Sequence, residues 1–304
     1  MVQKEAGNII KPYGHTDVLF YYSKISKHLK NFLEGKEIAA KIWLPYGKIP
    51  FFLRRGSNMP PLHIQELDAV DEKMLRLRSE MDLDKAKGKI SRQQEKIWSY
   101  FVPRKLIDFF YATNGEHPGN PIDRLFMDLD RGEGATEEQA RAAAVGLIKI
   151  IKSDKKLAKL ARFRIFIMWT GSSFHIYLLF EKKYQNAFYN TYFKYSKEEP
   201  EASFIGRWAR QLNENPNFKK LKIKVSGGHE KIPRAIIIDP SQTPSGKLAR
   251  APFSLHMRSA SEIDGIAIPL SEKQLNDKNL IKNMKSYTPE KVLNNLKELA
   301  KNLP

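Results

Sequence analysis

The run RLFMDLDRGEG, residues 124–134, is an apolar stretch that delivers two carboxylates two positions apart and then breaks into glycines. Strand side chains alternate between faces, so Asp128 and Asp130 point to one side while Leu129 enters the core. Two carboxylates that close repel one another unless a cation sits between them. Magnesium and manganese, hard ions that prefer oxygen ligands, are the natural candidates. Taken alone, a D-x-D also fits a strand end running into an acidic turn. A second apolar strand, RAIIID, ends in Asp239 much later in the chain. Three aspartates on neighbouring strands would make a two-ion site able to activate a 3′-hydroxyl and hold a leaving pyrophosphate, the requirement of nucleotidyl transfer.

The composition leaves room for that chemistry and closes off others. With 304 residues and 41% hydrophobic content the chain can bury a sizeable core. There are no cysteines, so thiolate metal sites and cysteine nucleophiles are excluded, and the seven histidines show no paired-ligand spacing. A metal must then be held mainly by carboxylates. No apolar run is long enough to cross a membrane. The amino-terminal stretch MVQKEAGNIIKPYGH reads as a polar lead-in without the apolar core of a signal peptide, which places the protein in the cytoplasm, in association with the nucleoid if its partner is DNA. A formal charge of +18 and a pI near 9.7 favour a polyanionic partner, nucleic acid first, although part of the excess serves solubility.

Apolar periodicity organises the chain. Asp17–Leu33 has a helical pattern with Asp17 placed to cap it and Gly35 to stop it. Residues 36–55 read as two strands joined at Pro45–Gly47, ending in Phe51, Phe52, Arg54 and Arg55. Rings beside guanidinium groups suit bases and phosphates, and they equally suit an ordinary hairpin edge. Residues 63–105 are charge-rich and helical in pattern, a helical insertion. Thr136 and Gln139 form a capping box for the helix that follows the D-x-D strand. A strand RFRIFIMW leads into the small-residue turn Thr170-Gly171-Ser172-Ser173 and then Phe174-His175, which offers backbone N–H groups, hydroxyls and an imidazole to a triphosphate. Beyond Asp239, Arg250, Ser254, His256 and Arg258 fall close together. Residues 271–304 close the chain as a helical segment, with Thr288 as a cap and Pro289 at the first helical position. The alternation predicts one mixed α+β domain over 1–304.

These motifs, in this order, resemble the archaeo-eukaryotic primase superfamily, and within it the polymerase domain of bacterial DNA ligase D and its stand-alone archaeal relatives. D-L-D-x-G-E-G, T-G-S-S-F-H and I-I-D … R-A-P-F-S-L-H carry the likeness, with support from DVLFYYSKISKHL … GKIPFFLRR and IAIPLSEKQL. The resemblance implies a primase-like core of mixed β-sheets flanked by helices. It makes Asp128, Asp130 and Asp239 the ligands of two Mn²⁺ or Mg²⁺ ions. Ser172, Ser173 and His175 would lie around the incoming triphosphate, and Arg250, Ser254, His256 and Arg258 would turn toward the same nucleotide. His117, in GEHPG, would lie near its sugar, and Phe51, Phe52, Arg54 and Arg55 would contact nucleic acid. Thr170 and Ser173 stand where the family usually has serine and glycine.

The implied activity is template-directed nucleotide addition that extends primers or fills gaps at DNA breaks during non-homologous end joining, with a preference for ribonucleotides. Its partners would be gapped or broken DNA, nucleoside triphosphates, a separate DNA ligase and an end-binding protein. De novo priming in replication and non-catalytic nucleic-acid binding are the alternatives. A D-x-D glycosyltransferase fits the aspartates but not the positive charge or the motif order.

Overall fold

The computed structural model describes residues 17–44, 50–54, 58–103, 105–260 and 262–304. The amino-terminal lead-in, the Pro45–Gly47 turn and Arg55 lie outside these. In chain order the strands are β1 (Ile38–Ile42), β2 (Phe51–Leu53), β3 (Ile107–Ala112), β4 (Ile122–Arg131), β5 (Phe163–Trp169), β6 (Phe174–Tyr184), β7 (Lys224–Gly227), β8 (Ala235–Asp239), β9 (Leu248–Arg250), β10 (Leu255–Met257), β11 (Ile263–Ile266) and β12 (Ile268–Leu270). Two compact units result. One comprises residues 1–112, 250–268 and 284–303, the other 113–249, 269–283 and 304.

In the first unit β1 lies between β2 and β3, antiparallel to both, with Ala40 opposite Leu53 and Ile38 opposite Tyr111. Helix Val18–Leu29 turns Tyr21, Tyr22, Ile25 and Leu29 inward. Asp17 caps it, accepting the Leu19 N–H at 2.9 Å. The helix ends four residues before the periodic pattern does, and Gly35 takes the left-handed conformation that closes the following turns (φ 65°). Buried tyrosines need partners for their hydroxyls, and here Tyr21 donates to the Phe253 carbonyl at 2.8 Å and Tyr22 to that of Ile107. The charge-rich stretch forms a 3₁₀ turn, Ile64–Ala69, and helices Glu72–Glu80, Leu83–Ala86 and Arg92–Tyr100. Strands β10 and β11 pair as a hairpin. Helix Pro289–Leu299, capped by Thr288, packs its Val292, Leu296 and Leu299 face inward and meets helix Val18–Leu29.

The second unit is built on a sheet in the order β12-β5-β6-β4-β8-β7, in which β5, β6, β4 and β8 pair antiparallel and β7 runs parallel to β8. Helix Glu137–Ser153 covers one face over β4, β6 and β8, burying Ala140, Ala143, Ala144, Leu147, Ile148 and Ile151. Its amino end carries the Thr136–Gln139 capping box. The small residues allow the helix to approach the sheet closely, and the other face of β4 is left to carry Asp128 and Asp130.

Arg78 is the largest buried charge of the first unit, its side chain fully excluded from solvent. It bridges to Asp17 twice, Nε to Oδ2 at 2.7 Å and Nη2 to Oδ1 at 3.1 Å, and also donates to the Phe101 carbonyl. The guanidinium carbon lies 5.0 Å from the Trp98 ring centre. Removing one member of such a pair strands the other in a low-dielectric setting. Asp17→Ala should therefore lower unfolding stability by about 3–5 kcal/mol, and adding Arg78→Met should recover much of the loss. Chemical denaturation of the wild type and the two variants checks both. A single-variant loss under about 1 kcal/mol would show that Arg78 is compensated in another way.

Candidate active site

Strand β4 lies between β6 and β8, and the register sets Asp128 directly opposite His175 on one side and Asp239 on the other. Directly opposed residues of antiparallel strands project to the same face. Asp130, two positions along, projects to that face as well. The three aspartates expected to act together are thus brought to one end of one sheet face. The register also accounts for the separation of RLFMDLD from RAIIID in sequence: the crossing through β5, β6 and β7 lies between them.

Burial first, and then the neighbouring Asp128 and Asp239, push the Asp130 carboxyl up to about 7 against the opposing pull of the Lys231 ammonium. Burial also raises Asp239, as does Asp128, while a hydrogen bond from the Ser241 N–H to Oδ1 at 2.8 Å and the nearby His229 act the other way. Asp239 is 7% exposed, and the Asp128 side chain is 30% exposed. The group has the chemistry of a hard-cation site: all-oxygen donors, partly desolvated and mutually repulsive. Among the described residues, no three His, Asp or Glu side chains are gathered closely enough to enclose an ion. What the fold supplies is the in-register carboxylates, and they suit a divalent ion that retains open positions.

Several backbone clamps hold β4 in place. The Asn114 side-chain amide donates to the carbonyls of Arg124 and Thr243, and its Oδ1 accepts the N–H groups of Asp123 and Arg124. The Thr243 hydroxyl accepts from the Phe126 N–H and donates to the Phe126 carbonyl, both at 3.0 Å, two residues before Asp128. Ser173 donates to the carbonyl of Leu129, the residue between the two aspartates. The β5–β6 turn is closed by Thr170, whose N–H reaches the Ser173 carbonyl at 2.9 Å and whose hydroxyl accepts the Ser173 N–H at 3.1 Å. Thr170 and Ser173, the two departures from the usual turn sequence, are the residues that tie this turn together and to β4. Ser172 is left half-exposed and Gly171 supplies the left-handed corner (φ 107°).

The His175 ring is buried and packs edge-on against Phe126, with ring centres 4.7 Å apart. Its Nε2 lies 3.5 Å from Asp128 Oδ1, and its buried Nδ1 has no hydrogen-bond partner among the described residues. His117 sits on an exposed turn of the same unit. Beyond β4, Gly132 is required by contact: a Cβ there would lie 1.8 Å from the Ile232 carbonyl oxygen. The β7–β8 loop is further fixed by Arg234 N–H to the Glu133 carbonyl at 2.7 Å and Gly132 N–H to that of Ala235 at 2.9 Å. This brings His229 and Lys231 to the aspartates. Sequence reasoning passed over both, although the basic, glycine-led run GGHEKIPR immediately before RAIIID is the signal that could have found them.

The remaining predicted residues belong to the first unit and gather around Asp108, which is fully buried. Arg250 Nη1 lies 3.2 Å from Asp108 Oδ2 and donates also to the Leu255 carbonyl, and its guanidinium covers the Phe110 ring at 4.9 Å. Lys41 Nζ approaches the same carboxylate oxygen at 3.6 Å. Burial raises Asp108 against the pull of these two cations, and burial lowers Lys41. Ser254 is entirely inside, accepting the Phe109 N–H and donating to the Leu255 carbonyl, both at 2.8 Å. His256 is half-buried, with Nδ1 3.8 Å from Asp264. Arg258 is exposed and paired with Glu262 and Asp264 across its hairpin. Phe52 meets Phe110 edge-to-face, Phe51 is 38% exposed, and Arg54 is half-buried. Lys41 and Asp108, missed in the sequence, complete this cluster. They alternate with apolar neighbours in IAAKI and IDFFYA and so resemble ordinary strand residues.

No family model matches the chain, and no curated protein matches it. Among solved structures it matches the polymerase domain of ligase D from Mycobacterium tuberculosis, determined in complex with DNA. The match covers 99% of this chain and 98% of that one, with a TM-score of 0.57 and 17% sequence identity. A likeness at that identity is a likeness of fold, and function has to be argued from the site. The chain has the α+β polymerase-domain fold of ligase D, the primase-like architecture that the order of its motifs implied.

Proposed function

We propose that the protein is a template-directed nucleotidyltransferase that extends primers or fills gaps in DNA, with a role in break repair by non-homologous end joining. The observation that carries this reading is the register of β4 against β8, which sets Asp128 opposite Asp239 with Asp130 on the same face. Asp128, Asp130 and Asp239 would hold Mg²⁺ or Mn²⁺. When bound, the ions polarise the α-phosphate and lower the barrier to loss of a 3′-hydroxyl proton. In the reaction the 3′-oxygen forms a bond to the α-phosphorus as the bond to the pyrophosphate oxygen breaks.

This chain's own side chains would bind and orient. His175, adjacent to Asp128, would meet a phosphate oxygen of the nucleotide. Ser172, on the half-exposed corner of the β5–β6 turn, would offer a hydroxyl to the same group. Ser173 would act through its bond to Leu129, by fixing the turn against the aspartate strand. Lys231 would balance negative charge around Asp130. Arg250, His256, Arg258 and His117 remain proposed nucleotide contacts, and Phe51, Phe52, Arg54 and Arg55 proposed nucleic-acid contacts. Ser254 is assigned the support of β3 and β10, since its hydroxyl accepts the Phe109 N–H and donates to the Leu255 carbonyl. The ribonucleotide preference and the ligase and end-binding partners follow from the resemblance of the motifs.

Primer extension on gapped DNA, with ribo- and deoxyribonucleotides and each metal in turn, tests this reading. Asp128→Asn and Asp239→Asn should each lower kcat by about 10³-fold or more, and a chelator should do the same to the wild type, while DNA affinity holds. Wild-type rates in either variant would end the assignment. Synthesis of a dinucleotide on an unprimed template would favour the de novo primase reading over gap filling.

His175→Ala should cost on the order of ten- to a hundredfold in kcat/KM for nucleotide, the worth of one charge-assisted contact. Most of the effect should appear in KM, with little change in primer–template affinity. Because the ring is buried, melting temperature must be measured on the same protein. A folded variant with unchanged nucleotide KM would remove His175 from the nucleotide site.

A further inference from the structure

At the opposite end of β5 and β6 from His175, the second unit carries a basic groove that takes no part in the chemistry above. Phe163 pairs with Phe180 there, and the ladder continues through the Glu181 N–H to the Arg162 carbonyl at 3.1 Å. Lys159 on helix Lys155–Leu160, Arg162 before β5, and Glu181, Lys182 and Tyr184 on β6 line a groove of about 520 Å³. Lys155, Lys156, Arg164 and Lys183 are near these residues in sequence, and all seven cations are exposed. Among the described residues none of the seven has a carboxylate within ion-pair distance, and Glu181 is likewise unpaired. Lys159, Arg162 and Lys182 line the groove from a helix, the approach to one strand and a second strand, against the single carboxylate of Glu181, and a polyanion relieves their repulsion.

We propose that this groove is a second nucleic-acid contact surface, binding the phosphodiester backbone of the duplex whose end is engaged at the aspartates; it rests on the polymerase reading for that connection. Three features define the partner. Phe188 stacks on the Tyr184 ring at 4.1 Å and the Lys182 ammonium lies 5.2 Å from its centre, so the ring is already engaged and the groove reads backbone without sequence. The exposed large apolar side chains among the described residues are Leu44, Phe51 and Leu221. None of these lines the groove, so it lacks the apolar insertion that membrane attachment uses. Finally, His175 and Lys182 lie seven residues apart on β6, whose pairing with β4 shifts register between Leu179 and Tyr184. At the usual strand rise this is at most about 23 Å, the length of about seven base pairs. Only substrates longer than that can occupy both places.

The test uses the full chain and DNA hairpins with stems of about 6 and about 24 base pairs, the two lengths bracketing that span. Without nucleotides, affinity for the long hairpin is measured by fluorescence anisotropy from 50 to 200 mM salt. Lys159→Gln/Arg162→Gln/Lys182→Gln, three exposed neutralisations, should reduce the slope of log K against log salt by about 2.7. The wild-type loss of affinity over that salt range would then shrink by about fortyfold. Glu181→Gln should tighten binding. In primer extension the triple variant should raise the KM for the long hairpin, leave that for the short one unchanged, and leave kcat unchanged on both. An unaltered salt slope in a variant of normal melting temperature overturns the proposal. So does equal loss on both stems, or displacement of DNA by polyglutamate or anionic vesicles at equal charge concentration. If the wild type adds no nucleotide, the polymerase reading fails while the anisotropy series still judges the groove.

Discussion

Like charges directly opposite one another on antiparallel strands destabilise the pairing, and here Asp128 and Asp239 face each other in register with Asp130 beside them. A chain accepts such an arrangement only if other interactions hold the strands in that register, and the surroundings of β4 are organised to do so. Clamps fall at Arg124, Phe126 and Leu129, through Asn114, Thr243 and Ser173, on either side of Asp128. Each uses a side chain bonded to β4 backbone, so the strand is held without using its own side chains. A one-residue slip would turn every aspartate to the helix-covered face, where burial of an unpaired carboxylate is costly.

This arrangement explains which parts of the protein could be read from its sequence. The strands announced themselves because β4, β5, β6 and β8 are near-continuous apolar runs, and the capping residues Asp17, Thr136 and Thr288 fall where the helices begin. The alternation within DLD was enough to put two carboxylates on one face. That Asp239 lies opposite Asp128 was legible through motif order alone. No local pattern specifies a pairing between strands so far apart in sequence.

What the sequence hid falls into two physical classes. Clamping residues such as Asn114 and Thr243 are polar residues in loops, and their bonds go to backbone carbonyls and N–H groups that any residue could have supplied. Nothing in their neighbours marks them. The second class is the buried ionic cluster of Asp108, Arg250 and Lys41, in which one carboxylate draws in two cations from two other strands. In sequence, Arg250 resembled a surface charge in a basic run. Buried, it is held by a carboxylate, a carbonyl and an aromatic face, each of which requires a folded partner.

The turn Thr170–Ser173 shows how the two classes meet at a position proposed to contact the nucleotide. A turn proposed to meet a triphosphate would be expected to donate everything it has, but here two of its hydroxyls are already bonded within the protein. The Thr170 hydroxyl substitutes for the flexibility a glycine would otherwise give, by accepting the Ser173 N–H and fixing the corner at Gly171. The Ser173 hydroxyl then couples that corner to the carbonyl between Asp128 and Asp130. Donors held this way lose little freedom when an anion arrives, so more of the interaction is retained as binding. The position of Ser172 is thereby fixed relative to the aspartates, a coupling between the expected phosphate and metal sites that runs through one hydrogen bond to backbone.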